Sequence, residues 1–340
     1  MHKIATFIRR LRTMSFARMK MYADKASTDS HRPSLLILLD MVYCSFRYGV
    51  GYLDYLTFGF ARQNSAARST FMNMNDNLRL VRSLNLQPEC ELFEDKTAFA
   101  REFSDYLHRE FIDLRETNAD GLRDFCEKNL SVFAKETHNF GGFGVERLCS
   151  LEIEDYSLLC CELVEKKMFL IEQAVVQHSE MNRLCPKSVN TVRVVTILKN
   201  GEANVMYALV RMGSGKGYVD NISSGGMYAP LSEAGVITAA AFCDKLGEYF
   251  TVHPASGTPI VGFKIPMFSE AIALVRAAAT RVPRVRYVGW DVAISESGPL
   301  IIEGNTIPSY DMCQNYRHLG PDKLGIKPRF ISVLGGEFFK

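Results

Sequence analysis

One segment near the C-terminal end constrains this chain more than any other: two carboxylates set into runs of residues that otherwise call for burial. In Gly289-Trp290-Asp291-Val292-Ala293-Ile294 the bulky residues Trp290, Val292 and Ile294 share one face, leaving Asp291 on the other between the small Gly289 and Ala293. In Leu300-Ile301-Ile302-Glu303-Gly304-Asn305 the two-residue strand period puts Glu303 and Asn305 on a common face. The turn between the runs decides whether the acids meet. A two-residue turn at Glu296-Ser297 would pair Asp291 with Ile302 and separate them. A three-residue turn, Glu296-Ser297-Gly298, with Gly298 in the left-handed position, pairs Asp291 with Glu303, and glycine stands where that turn wants it. Two like charges opposite each other destabilise a sheet unless a cation lies between them. Asp, Glu and Asn oxygens are hard ligands suited to Mg²⁺ held jointly with phosphates. The plain alternative, an exposed acidic hairpin, sits badly with the apolar neighbours.

Upstream, Val192–Leu198 and Ala203–Val210 flank Asn200-Gly201, a strong hairpin signal, and Ser131–Lys135 reads as a strand ahead of the glycine-rich stretch Asn139–Gly144. Small residues let backbone N–H groups approach phosphate oxygens, with a lysine as their point-charge partner. Ser269–Arg281 reads as a helix capped by Ser269. The first third reads as helical, with Ser34 capping a run to about Tyr48 and a second pattern over Thr97–Glu116. The aromatic group Tyr43, Phe46, Tyr48, Tyr52, Tyr55, Phe58 and Phe60 is expected in a core. The pattern is α+β behind a mainly helical N-terminal region. Boundaries are expected at 1–32 (a basic amphipathic segment), 33–128 (helical domain), 129–176 and 177–340.

The formal charge of +2 makes no case for nucleic acid, but it is uneven: residues 1–32 carry eight Lys or Arg against two Asp, a local +6. Nine scattered cysteines without a CxxC pair argue for reduced thiols, and no apolar run is long enough for a signal or membrane segment. A cytoplasmic enzyme is the resulting expectation.

Asp95-Lys96, Phe133-Ala134-Lys135, Gly141-Gly142-Phe143-Gly144, Phe169–Gln173, Asn190–Arg193, Val219-Asp220-Asn221 with Gly225-Gly226, Gly289-Trp290-Asp291 and Ile302–Asn305 occur in an order that resembles the ATP-grasp superfamily, in its sugar-transfer-associated branch. The resemblance covers roughly residues 35–320. It implies ATP clamped between two α+β subdomains, 129–176 as the lid and 177–340 carrying the metal site. Lys96 and Lys135 match lysines that hold the nucleotide phosphates, and Gly141, Gly142 and Gly144 match the lid loop. Glu172 and Gln173 match the segment between the subdomains, where adenine is read partly through backbone groups. Glu180, with His178 as competitor, is placed for the ribose, and Asp291, Glu303 and Asn305 match the Mg²⁺ ligands. Arg193 fits a catalytic role at the transferring phosphate, with Lys135 beside it. Arg211, Asp220, Asn221, Gly225 and Gly226 resemble the acceptor side. If Asn200-Gly201 makes a two-residue turn, Arg193 pairs with Ala208 and Arg211 falls on the opposite face, so both cannot serve one phosphate without a bulge.

The implied activity is an ADP-forming carboxylate–amine ligase that uses ATP and Mg²⁺ and passes through an acyl phosphate. Its substrates are small molecules, an amino acid or carboxylated sugar and an amine. A kinase on the same scaffold and a non-catalytic nucleotide-binding scaffold are the alternatives. The basic residues 1–32, with Ile4, Phe7, Ile8 and Leu11 among them, are expected to pack on their own domain or to touch a partner or membrane. Oligomeric state is left open.

Overall fold

The computed structural model describes residues 15–138, 144–215, 220, 222 and 225–339. Gly141, Gly142, Asn221 and the first fourteen residues of the basic segment lie outside them. The chain forms two compact units: Met1–Arg79 with Ser309–Lys340, and Leu80–Pro308. This division cuts through the expected helical domain 33–128 and takes residues 309–340 from the expected C-terminal one. The packing below shows why.

In the first unit, helix α1 (Phe16–Ser30) starts at Ser15, whose hydroxyl accepts Arg18 N at 3.3 Å, and α2 (Ser34–Tyr48) ends on Gly49 at φ 69°. Ser34 is the first helical residue rather than the cap; its hydroxyl donates to Asp24 at 2.6 Å. Ala23, Ala26, Ile37, Met41 and Cys44 are buried. Tyr55, Phe58 and Phe60 join the core as expected, with the Phe71 ring tilted against Phe58 at 5.0 Å. Tyr43 and Phe46, expected with them, instead stand exposed on the side of α2 away from Ile37 and Met41. The C-terminal segment closes this unit: Gln314 accepts Met72 N at 2.9 Å and donates to Met72 O at 3.1 Å.

The second unit holds two antiparallel sheets. The four-stranded sheet has the order β1-β4-β2-β3, from β1 (Phe111–Asp113), β2 (Ser131–Lys135), β3 (Val145–Cys149) and β4 (Leu170–Gln173). Leu122 and Phe125 of α3 (Ala119–Asn129) and Leu163 of α4 (Tyr156–Glu165) share a core with Val132, Ala134 and Ile171. The seven-stranded sheet has the order β11-β10-β5-β6-β7-β8-β9, from β5 (Thr191–Lys199), β6 (Glu202–Met212), β7 (Met227–Pro230), β8 (Ala241–Cys243), β9 (Glu248–Phe250), β10 (Tyr287–Ser295) and β11 (Gly298–Asn305).

The helix expected over Thr97–Glu116 is broken. Helical turns at Lys96–Glu102 and Ser104–Leu107 end at His108 in the left-handed region, and Phe111–Asp113 becomes an edge strand beside β4. Tertiary pairing overrides the helical spacing there. The turns instead set Phe99 and Phe103, with Phe93, against Trp290, which draws residues 80–107 into the second unit. The helix expected from Ser269 runs Phe268–Ala278, entered through Met267.

Candidate active site

Asp291 and Glu303 do face each other, but by a different route from the one the turn suggests. The β10–β11 connection is a two-residue turn, with Ser295 opposite Gly298, and it would separate the acids. A bulge at Ile302 then shifts the register by one, so Val292 pairs with Ile301 while Asp291 pairs with Glu303. The β5–β6 hairpin repeats the device. Lys199 pairs with Glu202 across Asn200-Gly201, and a bulge at Met206 shifts the register so that Arg193 pairs with Leu209 and Thr191 with Arg211. The bulge needed to put both arginines on one face is present.

Because β10 also pairs Asp291 with Arg193, one row across the sheet reads Arg193, Asp291, Glu303. The Arg193 fork takes both Asp291 oxygens, with Nη2 2.8 Å from Oδ2, and Arg211 Nη2 lies 3.0 Å from the same Oδ2. The room left by Gly289 is filled by the Arg193 side chain, which a Cβ there would meet at 3.5 Å. Asp220 is buried and holds this group from behind: it accepts from Thr191 N at 3.0 Å and lies 3.4 Å from Arg211. Burial alone would raise the Asp291 carboxyl, but the two guanidiniums outweigh it and hold the pKa below the usual range. Glu303 is pushed the other way, by burial first and then by Asp291. The Asn305 amide stands 3.3 Å from Glu303 and 3.4 Å from Asp291. On the opposite face Gly304 is required: a Cβ would meet the Phe93 ring at 2.9 Å and Phe99 at 3.0 Å.

Lys96, Lys135, Glu172, Glu303 and Asn305 line one open cleft of about 450 Å³, solvent-facing space included. Lys135 ends β2 and is ion-paired to Glu172, and Lys96 Nζ donates to Glu136 O at 2.9 Å. Burial depresses the Lys96 pKa. Glu172, expected at the adenine, has its carboxylate committed to Lys135 and to Arg109 at 2.6 Å. Burial opposes ionisation, yet those two cations bring its pKa down to about 2. Gln173 likewise turns its side chain to Glu110 N, at 3.3 Å. His178 caps a short helix (Ser179–Leu184) by accepting Glu180 N at 3.0 Å and lies 3.4 Å from Glu296 in the β10–β11 turn, while Glu180 pairs with Arg183 at 2.6 Å. Five residue steps along the strand, roughly 16 Å, separate Glu296 of that turn from Asp291. Gly144 closes the base of the β2–β3 connection at φ 66°, its carbonyl accepting Glu136 N at 2.8 Å; Gly225 takes φ 95°, and buried Gly226 follows into β7.

Arg109 is the residue that sequence reasoning missed. Nearly buried, it donates to Ile301 O at 2.6 Å and Ile302 O at 3.3 Å, the carbonyls beside the β11 bulge, as well as to Glu172. It therefore ties the four-stranded sheet to the strand carrying Glu303. No motif marks it.

A family profile described as sugar-transfer associated ATP-grasp matches residues 147–320, a little over half of the chain. The chain belongs to this family. No curated protein matches this ATP-grasp chain in sequence. Solved structures similar to it include the D-alanyl-alanine synthetase A of Vibrio cholerae O1 biovar eltor, at 12% identity and TM-score 0.42, over 73% of this chain and 66% of that one. D-cycloserine synthetase DcsG aligns at 12% identity and TM-score 0.46, over 75% and 73% of the two chains. ATP-grasp ligase PsnB complexed with minimal precursor aligns at 12% and 0.43, over 73% and 63%. The chain thus spans just under two thirds of the Vibrio cholerae enzyme's length. No helix among the described residues is long and apolar enough to cross a membrane.

Proposed function

We propose that the Leu80–Pro308 unit is the catalytic body of an ATP-dependent, ADP-forming carboxylate–amine ligase. The observation that carries this reading is the single row Arg193, Asp291, Glu303 opening beside a cleft lined by Lys96 and Lys135. Fixed cations aimed at one region stabilise the charge of a transferring phosphoryl group without a protein nucleophile. Lys96 and Lys135 hold ATP phosphates, Glu172 and Arg109 fix Lys135, and Arg193 with Arg211 supplies positive charge behind the reacting group. A nucleotide lying along β10–β11 would have its phosphates at this row and its ribose toward His178 and Glu180.

The donor set fits Mg²⁺. Glu303 is a half-buried carboxylate held opposite another acid, with the Asn305 amide beside both, and a cation would relieve the pressure on its pKa. Asp291 already receives two guanidiniums, so Glu303 and Asn305 are the freer ligands and Asp291 completes the set. When bound there, the ion would neutralise phosphate charge.

The carboxylate substrate is drawn from amino acids and carboxylated sugars, phosphorylated by ATP and then attacked by an amine. Arg211, Asp220, Gly225 and Gly226 are assigned to the acceptor side, with Asp220 acting through Arg211. The test is Mg-dependent ADP release across a carboxylate panel with hydroxylamine as trap. An acyl phosphate yields a hydroxamate. ADP release without hydroxamate from any carboxylate would overturn the ligase reading.

A further inference from the structure

We propose that the outer face of α2 docks this protein onto an anionic lipid surface. Helix α2 is apolar on both sides. Ile37, Met41 and Cys44 face the unit's own core, while Leu35, Leu36, Leu39, Val42, Tyr43 and Phe46, on the opposite side, are 40–69% exposed. Those six recur at one- to four-residue steps and form a continuous ridge of aliphatic and aromatic side chains on one helix. A helix apolar all round is ordinarily covered on every side, and contiguous exposed apolar surface of this size marks an interaction site.

Charge identifies what covers it. The unit that carries α2 has seventeen Lys and Arg against eight Asp and Glu, a formal +9, whereas the Leu80–Pro308 unit has twenty-three against thirty, a formal −7. Exposed Arg47 follows Phe46 on α2, and Arg18, Lys20 and Lys25 are exposed on α1. An exposed leucine and aromatic ridge on a strongly basic unit is the composition of a segment that lies in the headgroup region of a bilayer, its apolar side chains at the acyl boundary and the unit's cations on anionic headgroups. A second copy would bring +9 against +9, which disfavours self-association through this face. Nucleic acid would use the cations and leave the ridge in water. The surface belongs to the first unit and uses no residue of the Lys96 and Lys135 cleft, so this inference does not depend on the ligase reading.

The experiment is co-sedimentation of the full chain with phosphatidylcholine vesicles and with vesicles in which a third of the lipid is phosphatidylglycerol. The wild type is expected to bind the anionic vesicles and to release at high salt. Leu35→Glu combined with Leu39→Glu is expected to weaken that binding by about tenfold or more, with melting temperature and Mg-ATP binding unchanged. If the double variant does not fold, Arg18→Glu with Lys20→Glu on exposed α1 positions provides the second reading and is expected to weaken binding likewise. Absence of vesicle binding, or equal binding by the folded leucine variant, overturns the proposal. A concentration-dependent dimer that the leucine variant abolishes, without vesicle binding, overturns it in favour of a second copy.

Discussion

Each unit buries an aspartate under an arginine, and the two clusters differ in what is left over. In the first, Arg68 grips Asp40 with both nitrogens at 2.6 and 2.9 Å and donates to Phe60 O at 2.6 Å, and Tyr55 donates to the same carboxylate at 2.6 Å. Cations and donors cover the single acid, and the Cys44 thiol beside it is pushed up to about 12 by burial. In the second, Arg193 and Arg211 serve Asp291, but Asp220 and Glu303 share the neighbourhood, so acids outnumber guanidiniums. The first cluster is finished as it stands. The second has a carboxylate in excess of its guanidiniums at the edge of a cleft, the charge that the proposed Mg²⁺ would offset.

The comparison breaks most visibly when one arginine is removed. Arg68→Ala is expected to cost about 2–3 kcal/mol of stability by leaving the partly buried Asp40 with only Tyr55 and the more distant Arg32, with Mg-ATP binding intact wherever the protein is folded; chemical denaturation measures it. Asp291→Asn is expected to preserve the fold and lower Mg-dependent ADP formation by about a hundredfold or more. Full turnover in that variant would remove Asp291 from the site. Arg109→Ala is expected to raise KM for ATP about tenfold, since Glu172, the partner of Lys135, loses the guanidinium that holds it and the two carbonyls beside the β11 bulge lose a donor. Rescue by Lys would show that charge alone suffices.

The smallest effect carries the sharpest sign. Glu303→Gln is expected to raise the Mg-free stability by about 0.5–1 kcal/mol while abolishing Mg²⁺ protection against thermal unfolding, because the like-charge pair is gone. The pH dependence runs in opposite directions for Asp40 of the first cluster and Glu303 of the second. Burial opposes ionisation of Asp40, but Arg68 and Tyr55 win and lower its pKa, so its contribution is present above the unfolded pKa and lost on acidification. Glu172 behaves likewise, its contribution disappearing between its ordinary 4.5 and about 2. Glu303 is raised, so its contribution is present below its unfolded pKa and lost as pH rises through the folded one. Acid titrations of wild type and Glu303→Gln by melting temperature should differ with that sign; identical curves would contradict the assignment.

Much of the site was legible because strand period and residue type are local. Asp291, Glu303, Asn305, Lys96 and Lys135 could be named from spacing and resemblance. What was not legible depends on non-local pairing. Asp291 meets Glu303 through a bulge rather than through a longer turn, and nothing in Ile301-Ile302 announces which residue is extra. Phe111–Asp113 reads as helix until β4 supplies a partner. Nothing local to Glu172 says that its carboxylate is held by Arg109, sixty-three residues earlier. Tyr43 and Phe46 read as core because aromatic composition does not say which side of a helix faces inward.

The bulge in β11 makes the chemistry depend on chain length as much as on residue identity. Removing the single codon for Ile302 would keep every charged residue of the site and a hairpin with the same turn. It would also restore an unbroken register in which Asp291 still stands opposite the acid, whereas flattening the bulge in the intact chain would set Asp291 opposite Ile302. The bulge lets a two-residue turn and a facing pair of acids coexist in a strand one residue too long for both, a dependence that an inventory of site residues would not detect.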